Sequence, residues 1–179
     1  MKKLDATEHR SMPWKNGGGV TIEVAKSPEG ASLDDFDWRI SMARVEASGP
    51  FSRFPGIDRS LVVLRGAGMT LDVAQRGSIV LDAHAPPFAF PGDVDVAATL
   101  RGGRVDDLNV MTRRGRFRAL VTRVFVEGSA PFAPLGDLCF LVVGAGRGRA
   151  EGGGTTLAEG DALRLEAGER VDVASDDEL

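Results

Sequence analysis

One cysteine and two histidines among 179 residues leave too few thiolate and imidazole groups for ordinary transition-metal chemistry. A zinc- or iron-type centre needs two or three converging His or Cys side chains. Here only His9, His84 and Cys139 are available, and neither histidine lies in a His-x-His pair. No metal and no cofactor is expected. The lone Cys139, inside the apolar run Leu138-Cys139-Phe140-Leu141-Val142-Val143, excludes an internal disulfide and reads as a buried thiol in a reducing compartment. Long hydrophobic runs are missing as well: no segment approaches the ~20 apolar residues of a membrane span. The stretch Met1 to Arg10 carries Lys2 and Lys3 but no apolar h-region, so a cytoplasmic protein without a membrane partner is expected.

Positive charge is also in short supply. With 22 Lys and Arg against 26 Asp and Glu, the net charge of −4 gives no overall attraction to phosphate backbones. The basic run Arg113-Arg114-Gly115-Arg116-Phe117-Arg118 puts Arg116 and Arg118 on one face of an extended chain, which suits a solvated sheet face; no nucleic-acid partner is expected. Nucleophile signatures are absent too. There is no Gly-x-Ser-x-Gly elbow, and His84 sits in the loop Asp82-Ala83-His84-Ala85-Pro86-Pro87, where solvation explains it. Gly17-Gly18-Gly19 lacks the Gly-Lys-Ser/Thr ending of a phosphate loop and opens onto the strand-like Val20-Thr21-Ile22-Glu23-Val24, so it reads as a turn.

What the chain does have is punctuation: 23 Gly and 9 Pro separate short, mostly alternating apolar stretches. That is the pattern of many short strands and tight turns. Strands are expected over Val20–Ala25, Trp38–Val45, Leu61–Leu64, Met69–Val73, Val94–Leu100, Asp107–Thr112, Phe117–Val126, Cys139–Val143, Ala162–Leu165 and Arg170–Ala174. Only Ser32–Phe36, with Ser32 as N-cap, suggests a helical turn. Two segments repeat an order of features. Leu61-Val62-Val63-Leu64-Arg65-Gly66-Ala67-Gly68 and Leu141-Val142-Val143-Gly144-Ala145-Gly146 each run a strand into a Gly-Ala-Gly turn, and Pro91-Gly92-Asp93-Val94 and Glu159-Gly160-Asp161-Ala162 follow them. A duplicated small barrel produces this order and also hides strand edges. The expectation is all-β, with two tandem small β-barrels in one compact body. An N-terminal barrel over 1–115 carries the ligand pocket and a smaller one covers 116–179, with exchange of strands between the halves left open.

Several motifs place polar side chains among rigid neighbours. Met12-Pro13-Trp14-Lys15-Asn16-Gly17-Gly18-Gly19 sets a cation and an amide beside an indole. In Trp38-Arg39-Ile40-Ser41-Met42, alternation gives Arg39 and Ser41 one face and the apolar residues the other. If the apolar face packs outward, the Arg39/Ser41 face lines a barrel interior; if reversed, Arg39 is solvated. With Asp35-Phe36-Asp37-Trp38-Arg39-Ile40-Ser41, Gly49-Pro50-Phe51-Ser52-Arg53-Phe54-Pro55-Gly56-Ile57-Asp58-Arg59, Phe90-Pro91-Gly92-Asp93 and Asp107-Leu108-Asn109-Val110-Met111-Thr112-Arg113-Arg114, these motifs closely resemble the HutD/Ves family from Met12 to about Arg114.

The resemblance implies a duplicated cupin (bicupin) fold, an association with histidine utilisation or stress response, a homodimer, and binding of a pathway metabolite such as urocanate or formylglutamate without an established reaction. The residues agree in one respect. Lys15, Arg39, Arg59 and Arg113 are cations inside motifs of an acidic protein, suited to hold a small carboxylated metabolite through charge-assisted hydrogen bonds. Asn16, Ser41, Ser52 and Asn109 would orient it, and Trp14, Phe51 and Phe54 would wall it. An enzymatic alternative uses Lys15 or Asp58 as general base with Arg39 on the carboxylate. Two further alternatives stand beside these: a buried Arg/Asp network including Asp58, Asp93 and Asp107 that only fixes loops, and an interaction scaffold whose motifs only stabilise the fold.

Overall fold

The structure is a computed structural model that describes residues 1–151 and 154–176. In chain order it comprises β1 (Lys2–Leu4), a 3-10 turn (Ala6–Glu8), β2 (Arg10–Pro13), β3 (Gly19–Ser27), β4 (Trp38–Val45), β5 (Gly49–Pro50), β6 (Ile57–Arg65), β7 (Met69–Val73), β8 (Gly77–Leu81), β9 (Phe88–Pro91), β10 (Val96–Leu100) and β11 (Val105–Arg113). It continues with β12 (Ser129–Phe132), β13 (Leu138–Val142), β14 (Arg147–Ala150), β15 (Thr155–Ala158), β16 (Ala162–Glu166) and β17 (Val171–Ser175). The fold is all-β and of the cupin type. The chain divides into two units, Arg10–Arg123 and Met1–His9 with Val124–Leu179.

The larger unit pairs a six-stranded sheet, ordered β2-β3-β4-β11-β6-β9, with a four-stranded sheet ordered β5-β10-β7-β8. The smaller unit has a three-stranded sheet, β1-β16-β13, and a four-stranded one, β12-β17-β14-β15. Closed barrels were the expectation; instead each sheet stays open, and closure comes from packing one sheet on another. The larger core joins Val45, Leu61, Val63 and Val105 of one sheet to Met69, Leu71, Val73, Val96 and Ala98 of the other. Ala150, Leu157, Leu163, Leu165 and Val171 form the core of the smaller unit. Cys139 packs against that core half-buried, and burial raises its thiol pKa.

Proline marks the edges. Pro13, Pro50, Pro91 and Pro131 lie in β2, β5, β9 and β12, each an outermost strand of its sheet, where a missing N–H removes no ladder bond. The strand expected over Phe117–Val126 does not form. Arg116 and Phe117 donate backbone N–H groups to the Arg113 carbonyl in a turn, and the Arg123 guanidinium donates to the Val63 carbonyl at 2.7 Å. Ser32 forms a tight polar turn in place of a helix start: its N–H and hydroxyl both donate to Asp35 Oδ1, at 2.6 and 2.9 Å.

Candidate functional site

Antiparallel pairing puts opposed residues on the same face of a sheet, so the register of the six-stranded sheet determines which side chains share its inner face. One row across the strands reads Phe90, Arg59, Met111, Arg39, Lys26. The next reads Phe88, Leu61, Asn109, Ser41, Glu23, and the third Val63, Asp107, Ala43, Thr21. Two irregularities produce this alignment. A register shift between Glu23 and Ala25 brings Glu23 and Lys26 to one face, although regular alternation would separate them, and a second shift lies at Asp106/Asp107. Since Leu61, Val63 and Ala43 on these rows pack in the larger core, this is the inward face. Arg39 and Ser41 are accordingly buried.

Arg39 Nε donates to Glu23 Oε2 at 2.8 Å, and Lys26 Nζ lies 3.1 Å from Glu23 Oε1. Burial pushes the Glu23 carboxyl up, but the bonds and charges of Arg39 and Lys26 outweigh it and hold the group below its ordinary value. Arg59 is only 6% exposed. Its guanidinium carbon lies 5.1, 5.6 and 5.0 Å from the ring centroids of Phe51, Phe54 and Phe90, a three-sided aromatic surround. Arg59 Nη1 donates to the Ser52 carbonyl at 3.1 Å, whereas the buried Nε has no partner. Asn109 Oδ1, on the neighbouring row, is likewise buried without one. Burial lowers the Arg59 pKa to about 10, against the opposing pull of Asp107. Asp107 is 2% exposed. Burial drives its carboxyl up to about 7; Arg59 draws it down and Asp106 pushes it further up.

The remaining expected residues are placed differently. Trp14 packs against the core, and its Nε1 donates to Thr21 Oγ1 at 2.8 Å. Lys15 is exposed on the adjoining turn. Asn16 builds that turn by accepting the Gly18 N–H at 3.0 Å. Gly17 has φ +71°, and a Cβ on Gly19 would lie 2.4 Å from the Arg44 carbonyl oxygen. Ser52 contributes its carbonyl, with its side chain exposed. Asp58 follows the opposite strand face from Arg59 and is held by Arg114 Nε at 2.8 Å. Arg113 ties down the Phe36 carbonyl at 2.6 Å. Arg39, Ser41, Arg59 and Asn109 therefore share the inner face, with Phe51 and Phe54 over Arg59; Lys15 and Asp58 lie apart from it, and Arg113, one row beyond Met111 on the same face, is bound to the Phe36 carbonyl. An arrangement of Lys15 or Asp58 acting with Arg39 is not assembled. Glu23, Lys26, Phe90 and Asp107 belong to the inner face but were not among the expected site residues.

Comparison with known proteins decides the relationship. The profile of the HutD family matches residues 6–179. The chain belongs to the HutD family. It is 42% identical over 122 residues to an uncharacterised 21.2 kDa protein in the hutC 3′ region of Pseudomonas putida, covering 66% of this chain and 62% of that one. Protein Ves of Citrobacter koseri is 39% identical over 140 residues, covering 76% of this chain and 71% of that one. Among solved structures, a conserved protein of unknown function from Pseudomonas aeruginosa PAO1 superposes with TM-score 0.86 at 34% identity, over 97% of this chain and 92% of that one. HutD from Pseudomonas fluorescens SBW25, in a formate condition, gives TM-score 0.81 at 32% identity, over 97% and 93%. YhhW from Escherichia coli, at 11% identity and TM-score 0.68 over 98% of this chain and 92% of that one, shares the fold alone.

Cupin folds often hold a metal, but the inner-face residues of this HutD-family chain do not fit one. Its carboxylates are Glu23, already engaged by two cations, and Asp107, two rows from Arg59 and influenced by it through space. His9 bonds the Gly160 carbonyl in the smaller unit, and His84 is exposed. Among the described residues no three His, Cys, Asp or Glu side chains converge. Three cations facing Glu23 and a near-neutral Asp107 leave this face with surplus positive charge. Two depressions on the larger unit reach the margin of this face, one lined in part by Phe51 and the other by Arg59 and Phe90. One of about 440 Å³ carries Asp72 and Asp95 and no cation, so it repels an anion. Another of about 610 Å³ runs along β6 and β9 under residues 115–119.

Proposed function

We propose that this protein binds a small carboxylated metabolite, without metal, on the inner face of the six-stranded sheet, and that occupancy modulates histidine utilisation. The observation that carries this reading is the buried Arg59 Nε, a charged donor with no partner beside a buried acceptor that also lacks one. An unsatisfied buried donor costs free energy that a bound carboxylate recovers. Surplus positive charge from Arg39, Arg59 and Lys26 favours the same ligand class, and Phe51, Phe54 and Phe90 supply an apolar wall. The position of the Pseudomonas putida relative in the hutC 3′ region supports the metabolic context.

A thermal-shift screen of metal-stripped protein against urocanate, formylglutamate and simpler carboxylates tests it. Ligand at ~100 Kd contributes about 2.7 kcal/mol, a visible rise in Tm. Arg59→Ala and Arg39→Ala are expected to abolish the shift. No response from any acid, or an unchanged response in both variants, refutes the reading.

A further inference from the structure

Asp107 is the one inner-face carboxylate, among the described residues, that no cation holds by a hydrogen bond. Glu23 is shared by Arg39 and Lys26, whereas Asp107 faces Arg59 only through space. Its cross-strand neighbours are Val63 on β6 and Ala43 on β4. The charged groups on the strands around it are Arg59 from β6, Arg39 from β4, Glu23 and Lys26 from β3, and Asp106 from its own strand, and the Arg123 guanidinium donates to the carbonyl of Val63, its partner on β6. The facing sheet contributes Met69, Leu71, Val73, Val96 and Ala98 to the shared core. In this setting Arg59 has one counter-charge, Asp107, and one idle donor, Nε.

Resting on the carboxylate reading above, we infer that an incoming carboxylate replaces Asp107 as the counter-ion of Arg59, and that Asp107 takes up a proton from solvent as it is released. The balance is simple: ligand anion enters, one proton from water or buffer bonds to an Asp107 carboxylate oxygen, and the charge of the face is conserved. No covalent bond to the ligand forms. The driving force is electrostatic. A second anion beside an ionised, water-excluded Asp107 is strongly disfavoured, and Asp107 already titrates near pH 7. As a neutral acid it becomes a further uncharged hydrogen-bond donor on a face that already carries the Ser41 hydroxyl and the Asn109 amide. The inner face thereby acts as a carboxylate-plus-proton site, and Asp107 is a positioning residue that makes affinity depend on pH.

Sodium formate is the minimal probe, because formate stays ionised between pH 6 and 8; acetate and glutarate extend the series. Apparent Kd from concentration-dependent thermal shifts is expected to weaken about tenfold from pH 6 to pH 8 for a site titrating at 7. Asp107→Asn, checked for folding by circular dichroism, should bind with a flat profile. Calorimetry on the unmodified protein provides the variant-free readout: titrations at pH 7 in buffers of different ionisation enthalpy should report uptake of about half a proton per carboxylate bound. Saturable binding with a flat pH profile and no proton uptake overturns the exchange while leaving the binding site standing. The same pH dependence in Asp107→Asn also overturns it. No saturable binding of any of the three acids at pH 6, where Asp107 is already protonated, removes the binding site and the exchange together.

Discussion

Asp107 and Glu23 lie on adjacent rows of one sheet face yet respond to burial in opposite directions, and the difference lies in their partners. Burial raises both carboxyls, but Glu23 accepts from Arg39 and pairs with Lys26, which returns it below its ordinary value, whereas Asp107 has only the through-space pull of Arg59. The sign for stability follows. The folded-state pKa of Asp107, about 7, exceeds the ordinary 3.8 of the unfolded chain. Between those values the folded state keeps a proton that the unfolded state has released, so this residue's contribution declines as pH rises through that window. Urea titrations at pH 5 and pH 8 should show the larger unit of wild type losing stability relative to Asp107→Asn, by an amount on the order of 1–3 kcal/mol. Equal pH dependence in the two proteins would contradict the assignment. Arg39, Ser41, Arg59 and Asn109 were legible as candidates because strand alternation and motif wording point to them. Asp107 was visible only as part of a loop-fixing network. Glu23 and Lys26 were hidden because they stand three positions apart and only a register shift, set by tertiary pairing, aligns them.

Long central strands were readable and the proline-bearing edge strands were not. Trp38–Val45 and Met69–Val73 form as their alternation predicts, since both faces of these segments have a definite environment. β2, β5, β9 and β12 each contain proline, which argues against a strand until its position at a sheet edge is known. Phe117–Val126 shows the converse error: its residues suit a strand, but no neighbouring strand pairs with it. The turn after β9 ties these elements to the candidate site. Gly92 N donates to the Ile57 carbonyl at 2.7 Å, Phe54 N to the Gly92 carbonyl at 2.8 Å, and Asp93 Oδ1 accepts from Gly56 N at 2.7 Å. These bonds hold the loop that brings Phe54 against Arg59. A Cβ at position 92 would lie 2.7 Å from the Phe54 carbonyl oxygen and 2.9 Å from that of Ile57. Gly92→Ala should therefore cost about 1–3 kcal/mol in urea unfolding and weaken carboxylate binding with Arg39 and Arg59 intact. Unchanged stability and affinity would show that this turn tolerates a side chain and does not position Phe54.

The two Gly-Asp turns seen in the sequence do comparable work in the two units. Asp93 accepts a backbone N–H from Gly56, and Asp161 accepts from Ala6 and Ala158, each at 2.8 Å. Nothing in the local pattern of Lys2–Leu4 announces that this three-residue segment completes the β16 edge of the smaller unit, because its partner lies about 160 positions away. What secures it is a buried charge. Asp161 is 3% exposed; its carboxylate lies 2.8 Å from Lys3 Nζ, and His9 Nε2 is 3.0 Å from the Gly160 carbonyl oxygen. Burial opposes ionisation of Asp161, but Lys3 and the two backbone donors outweigh it and lower its pKa, while Lys3 is raised. A carboxylate lowered in this way contributes stability above its unfolded pKa and loses that contribution as pH falls through the folded value. Removing residues 1–9 strips Asp161 of Lys3 and of the Ala6 N–H and exposes the ladder of β16. Hydrogen exchange at Ala162–Glu166 should then accelerate at pH 7 by tenfold or more, corresponding to about 1.4 kcal/mol or more of local stability. Lys3→Ala should produce a smaller change, and unmodified protein should show the same loss of protection only in acid. Unaltered exchange at β16 after the deletion would mean that β1 pairs with it without supporting it.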